Sequence, residues 1–400
     1  MKTSLLVAIV LFVTAHIALS QNWVLTNSGT NDWECIASAA DGNTLIAGQW
    51  SGDVAVSTNA GETWTPTVLT NEYWNSVAAS ADGTKLLAAA GPGAVFLSTN
   101  SGLSWVSTSL PAYYWGSVAI SADGRTMAAV APLVSGFDYS PVPAVFCSTN
   151  SGNNWVSNNL NLAHTFGQPS PVSVAMSADG RKIFVLDPEE VSYSTNFGTS
   201  WMLMTNAPPS YALISPSQVI ASSADGNRLV MSVAPESDAP SLIYTSADSG
   251  NTWNLAPLLS SDWGWVASSA DGKTLMASGS GFGASCPLCI STNSGASWTI
   301  NTSENWAGVA CSADGGAMVA VGGAIYRSQS IWPPLMSAAP CGNSLFVSWL
   351  IPSTNFVLEE SGDLNNWSTV TNEPVLNMAN LQEQVLLSPT NGAGFYRLVR

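Results

Sequence analysis

Residues 76–105 read SVAASADGTKLLAAAGPGAVFLSTNSGLSW. Turn chemistry cuts this stretch into apolar runs too short for helices. Ala81-Asp82-Gly83 and Gly91-Pro92-Gly93 leave three short strands, over 76–80, 85–90 and 94–98. The eight-residue box from Ser98 to Trp105 then turns the chain into a fourth strand. Within the box, Asn100 is expected to bond the backbone two residues on, and Gly102 to take positive φ. Ser104 is expected to bond back, and Trp105 to pack its indole between strands. No helical periodicity competes with this reading.

The unit recurs. Asp41, Asp82, Asp123, Asp179, Asp225, Asp271 and Asp314 each sit in an A-D-G turn, spaced 41, 41, 56, 46, 46 and 43 residues apart. Repeats of this length fall in the range of propeller blades. Six boxes follow: STNAGETW (57–64), STNSGLSW (98–105), STNSGNNW (148–155), STNFGTSW (194–201), SADSGNTW (246–253) and STNSGASW (291–298). The missing seventh has a geometric answer. Trp64, Trp105 and Trp253 each precede the next unit's first tryptophan by ten residues, and Trp23 precedes Trp33 by the same interval. Residues 22–27 are therefore expected to complete the unit begun by residues 306–328. The fold expected is all-β: a seven-bladed β-propeller over 21–331, closed by its N-terminal strand. A linker (332–340) and a small β-sandwich-like module (341–400) follow, with five strand candidates at 345–350, 355–360, 367–371, 384–387 and 394–399.

The pattern S-x-D-x-G-x-T-W resembles the BNR or Asp-box repeat of the sialidase-like superfamily. The W-x-x-V-A-x-S-A-D-G spacing is similar to the photosystem II assembly and stability factor type of propeller. Both resemblances imply the propeller fold, and the second implies a role in assembling a membrane complex. Five of the six boxes carry Asn where the family pattern has Asp, and Asp248 alone keeps the carboxylate. No metal or other cofactor is expected at the boxes.

Only 9% of the 400 residues are charged, with 10 basic against 26 acidic and a net charge of −16. Ten scattered Lys and Arg exclude a nucleic-acid-binding patch, which needs clustered cations to displace counterions. Residues 1–20 read as a signal peptide, with Lys2 before an apolar stretch and Ala18-Leu19-Ser20 as the cleavage site. The mature protein is expected to be a secreted or extracytoplasmic monomer, at the cell surface or in the periplasm, with no stable membrane insertion. Export permits disulfides among Cys35, Cys147, Cys286, Cys289, Cys311 and Cys341, whose pairing sequence leaves open.

Sorting charges by loop gives a polarity. The loops entering each first strand and those joining second to third strands share one face, here called the top. That face receives Asp32, Glu72, Asp262 and Glu304, then Asp53, Asp138, Asp187, Glu189, Glu190, Glu236 and Asp238, and no Lys or Arg. Glu34 is expected as a twelfth acid at the channel mouth. Lys85, Arg125, Arg181, Lys182, Arg228 and Lys273 follow the repeat aspartates, on the opposite face. Trp33, Trp74, Trp115, Trp263 and Trp306 each precede their repeat Asp by eight residues. These indoles have two readings: packing between blades, or lining the mouth with Glu72, Asp262 and Glu304 to bind a neutral glycan or a basic protein surface. Trp50, Tyr73, Tyr113, Tyr114, Phe137 and Tyr139 lie nearby. A sialidase needs three convergent arginines, whereas Arg125, Arg181 and Arg228 fall on the wrong face. A neutral-sugar glycosidase needs only two carboxylates about 5–10 Å apart, for which Glu34, Glu72, Asp262 and Glu304 are candidates. His164 is a lone loop histidine, and no nucleophile or metal motif occurs.

Overall fold

The computed structural model describes residues 23–131, 134–135, 138–141, 145–158, 160, 173–187, 190–209, 219–233, 240–258, 263–279, 287–301, 304–329, 336–342, 344–351, 356–388 and 394–399. The chain is all-β, and no helix among these residues is long and apolar enough to cross a membrane. Four-stranded antiparallel sheets follow one another as in a β-propeller.

The first sheet pairs Trp33–Ser38, Leu45–Gln49, Val54–Ser57 and Thr65–Pro66 in chain order. The second does the same with Trp74–Ala79, Leu86–Ala90, Val95–Ser98 and Val106–Ser107. Four further sheets begin at Ser117, Ser173, Val219 and Trp263. A seventh, among the described residues, joins Trp306–Cys311, Ala317–Gly322 and Ile325–Gln329 to Val24–Leu25, with Val24 opposite Arg327 and Leu25 opposite Tyr326. First strands of successive sheets touch, and the first sheet's also touches the seventh's.

The core lies between sheets. Each neighbouring pair encloses an apolar cluster, including the pair that joins the seventh sheet to the first through Trp33, Ile36, Leu45, Val319, Val321 and Ile325. Each cluster takes one box-type tryptophan. Trp105 packs between sheets one and two, Trp64 between seven and one, and Trp23 between six and seven, 5.6 Å from Trp306. Five of the six cysteines are free, Cys341 exposed and the others within the sheets; Cys286 lies outside the described residues. Burial raises the Cys147, Cys289 and Cys311 thiols to about 12, so they stay protonated.

The box works by side-chain-to-backbone bonds. Ser98 Oγ accepts from Gly102 N (2.9 Å) and donates to Asn100 Oδ1, which accepts from Ser104 N (2.9 Å). Asn100 thus holds the residue four positions on, not two as expected. The fourth box position adopts left-handed φ of 55–62° in all six copies, although it is Ala, Ser or Phe, because the following glycine completes the turn. In the A-D-G turns the aspartate does bond two residues on, as Asp123 Oδ1 does with Arg125 N.

Those turns also close a ring of their own. Ala40 N–H donates to Ala81 O, Ala81 to Ala122, Ala122 to Ala178, Ala178 to Ala224, Ala224 to Ala270, Ala270 to Ala313, and Ala313 back to Ala40, all at 2.7–3.0 Å. Alanine places only a methyl group at each of these meeting points, and Ala40, Ala122, Ala178, Ala224 and Ala313 are buried there.

Beyond the repeat, Ser337–Cys341, Ser344–Leu350, Gln382–Leu387 and Val375–Asn377 form one sheet, and Ser368–Thr369, Val357–Ser361 and Phe395–Val399 another. Leu345, Val347, Trp349, Leu358, Val385 and Leu398 fill the core between them. Two strands lie outside the five expected: Ser337–Cys341, which runs from the stretch read as linker (332–340) into the module, and Val375–Asn377. Met378 and Leu381 pack on the alanine ring beside Ala122, Ala178 and Ala224.

Candidate functional site

Loops on the top face are tied together by backbone bonds. Gly52 and Glu72 exchange hydrogen bonds (3.0 and 3.3 Å), Trp50 N donates to Asp32 O (2.8 Å), and Gly93 and Tyr113 exchange another pair. Gln49 Oε1 accepts from Asp53 N (3.0 Å), making residues 49–53 a tight turn. Asp32, Trp50, Asp53, Glu72 and Tyr73 are thereby gathered over the first and second sheets.

The sequence-derived candidates divide sharply. Trp33, Trp74, Trp115, Trp263 and Trp306 are all at most 3% exposed and belong to the clusters between sheets. The structure does not bring these indoles to the surface of the mouth. The physical reason is register: each tryptophan begins the inner strand or, as Trp115 does, lies two residues before it, where one side faces the preceding sheet. Trp74 Nε1 donates to Gly52 O (3.0 Å) and Trp115 Nε1 to Gly93 O (3.2 Å), so these rings staple one sheet to the loop of the sheet before it. Glu72 is half-buried and Glu304 exposed, whereas Asp262, Glu189, Glu236, Asp238, Phe137 and His164 lie outside the described residues.

The exposed aromatic surface is formed by other residues. Trp50 is 50% exposed, Tyr73 47% and Tyr114 50%. Trp50 and Tyr73 stand edge to face, centroids 5.9 Å apart and planes at 73°. Tyr73 and Tyr114 occupy the position just before their strand's tryptophan, which in the first sheet is the exposed Asp32. That register position, one residue before the tryptophans singled out in the sequence, faces solvent in these three sheets.

Glu34 sits at a bulge in the first inner strand, between Trp33 and Cys35. Its neighbour across the sheet boundary is Gly308, where a Cβ would come within 2.8 Å of Glu34 O. Burial, and then the charge of Asp32, push the Glu34 carboxyl up to about 7. Trp265, which sequence reasoning passed over, packs against both the cluster of sheets six and seven and that of sheets one and two. Its indole therefore reaches across the middle of the ring.

On the opposite face, cations are occupied with structure. Lys85 Nζ donates to Gly124 O (3.1 Å) and Ser151 Oγ (3.0 Å), and Lys182 Nζ to Asn227 Oδ1 (2.7 Å) and Ser249 Oγ (3.1 Å). Each clamps one sheet's turn to the next sheet. Arg327 bonds Ala60 O and pairs with Glu62 at 3.3 Å. No group of three metal-ligating side chains converges among the described residues.

The chain matches no protein-family model and no curated protein sequence. Solved structures do resemble it. The GH74 xyloglucanase from Xanthomonas campestris superposes with a TM-score of 0.60 at 16% identity, over 82% of this chain and 59% of its own. YCF48 bound to D1 peptide gives 0.52 at 16% identity, over 80% and 97%. The β-propeller domain of Cps50 (Swd1) from Myceliophteria thermophila gives 0.56 at 14%, over 77% and 99%. This chain spans 59% of the xyloglucanase's length. At these identities the likeness concerns architecture, and the property the chain shares with all three is the β-propeller fold.

Proposed function

We propose that the chain is an exported, non-catalytic, seven-bladed propeller, closed by its N-terminal strand and followed by a small C-terminal β module. It works as a binding or scaffold protein through the top face. Segregation of charge carries this reading: the top-face loops hold no Lys or Arg, while Lys85, Lys182 and Arg327 are engaged elsewhere in joining sheets. An acidic face with exposed aromatic rings suits a neutral glycan or a basic protein surface and repels anions. The box pattern supports kinship with Asp-box propellers. Residues 1–20 act as the signal peptide, and the mature protein is a monomer outside the cytoplasm. One structural neighbour was solved with a bound peptide and another is a glycan hydrolase, so this fold accommodates both roles.

A second reading, a secreted glycoside hydrolase, has one specific observation behind it: the Glu34 carboxyl, near 7, is in the range of a general acid. A panel of neutral polysaccharides and basic peptides separates the two, read by calorimetry and by release of reducing sugar. Binding without release is expected, and catalytic release from any polysaccharide would overturn the non-catalytic reading.

A further inference from the structure

Within the top face, the exposed rings of Trp50 and Tyr73 stand nearly perpendicular, 5.9 Å apart. A flat platform for stacking sugar rings needs coplanar or terraced aromatics. A right-angled pair instead presents two π faces to one corner, the arrangement that attracts a cation. The backbones of Asp32, Asp53 and Glu72 are held beside this corner by bonds to Trp50, Gln49 and Gly52. None of the three forms an ion pair among the described residues. The charge of Asp32 is felt at Glu34, whose carboxyl it helps to keep protonated, so negative potential here is not neutralised locally. A metal ion would need hard oxygen ligands converging on one point, and no such group is found among the described residues.

Resting on the top-face reading above, we infer that the corner between Trp50 and Tyr73 receives a cationic side chain, so that the occupant of this face is an Arg- or Lys-bearing segment of a partner protein. Charge complementarity selects this occupant over a neutral glycan, which can hydrogen-bond carboxylates but brings no positive charge to match their field. The acidic field would also speed encounter with a basic partner at low salt.

The test is calorimetric titration of the full chain with three probes: an octapeptide of alternating Gly and Arg, the same peptide with citrulline for Arg, and cellohexaose. The arginine peptide is expected to bind at least tenfold more tightly than the citrulline peptide, and more weakly as salt rises. Trp50→Ala and the double change Asp53→Asn/Glu72→Gln should each weaken it at least fivefold, with melting temperatures unchanged as the check on folding. Cellohexaose binding that Trp50→Ala abolishes and Asp53→Asn/Glu72→Gln spares would overturn the inference and keep the top-face reading. Arginine-peptide binding insensitive to all these changes would overturn both. Failure of the arginine peptide to bind overturns the inference.

Discussion

Ser98→Ala isolates the contribution of a box to stability. Ser98 is 1% exposed, and its Oγ accepts from the backbone N–H of Gly102 at 2.9 Å and from that of Asn100 at 3.3 Å. Alanine keeps the Cβ and deletes the acceptor, so the Gly102 N–H loses its partner inside a tight, part-buried turn. An unsatisfied donor of this kind costs about 1–3 kcal/mol, so we expect about 2 kcal/mol. For a chain of this size, that is a fall in melting temperature of about 2–3 °C. Thr99→Ala, at the exposed neighbouring position, should change stability by less than about 0.5 kcal/mol. Ser194 makes the same bonds in the fourth sheet. The two sites share no partners, so Ser98→Ala and Ser194→Ala should add in the double variant. Differential scanning calorimetry of the four variants and the parent reads all of this. A Ser98→Ala variant melting within 1 °C of the parent, or no lower than Thr99→Ala, would refute the claim that the box serine is a folding element.

Other perturbations test other parts of the structure. Trp23→Ala should cost about 2–3 kcal/mol, because it empties a half-buried site against Trp306 and loosens the strand that completes the seventh sheet; urea midpoints would detect it, and Trp23→Phe should recover part of the loss. Glu34 has its folded pKa raised to about 7 from an ordinary 4.5. Its native state holds the proton more tightly than the unfolded chain, so its contribution falls as pH rises from about 4.5 to 7 and is flat beyond. Glu34→Gln should therefore stabilise the protein at pH 8, with the gain disappearing near pH 4.5, as read from melting temperature against pH. Leu381→Asp should place a charge against the alanine ring and loosen the C-terminal residues, seen as faster proteolytic release of the segment after residue 330.

The architecture was largely legible in the sequence because turn chemistry repeats without ambiguity. The A-D-G turns and boxes fall where expected, and the ten-residue interval from Trp23 to Trp33 places Trp23 correctly among the box tryptophans. What failed was finer than the repeat. The interval from Trp74 to Asp82 locates the start of an inner strand, but not which side of it faces the neighbouring sheet. One residue of register separates the buried Trp74 from the exposed Tyr73. The alanine ring was hidden for a different reason: an alanine before Asp-Gly looks like filler until seven backbones are seen to meet. Trp265 carries no signal of its own, since its role depends on a cluster far away in sequence. In the C-terminal residues, Ser361-Gly362-Asp363-Leu364-Asn365-Asn366-Trp367 forms a box-like turn that was overlooked. Asp363 Oδ1 accepts from Asn365 N and Asn366 N there, and Trp367 Nε1 donates to Leu364 O. The spacing from Asp to Trp is one residue shorter than in the repeat boxes, which masked the similarity.

The central claim is that this propeller meets its ligand through the top face, and hydrogen–deuterium exchange tests it most directly. With a saturating glycan or peptide probe that binds the full chain, protection should concentrate in residues 31–34, 49–53 and 71–75. The A-D-G turns around Asp82, Asp123 and Asp225 should be unaffected. Protection centred on those turns and the boxes, with residues 49–53 unchanged, would contradict the account.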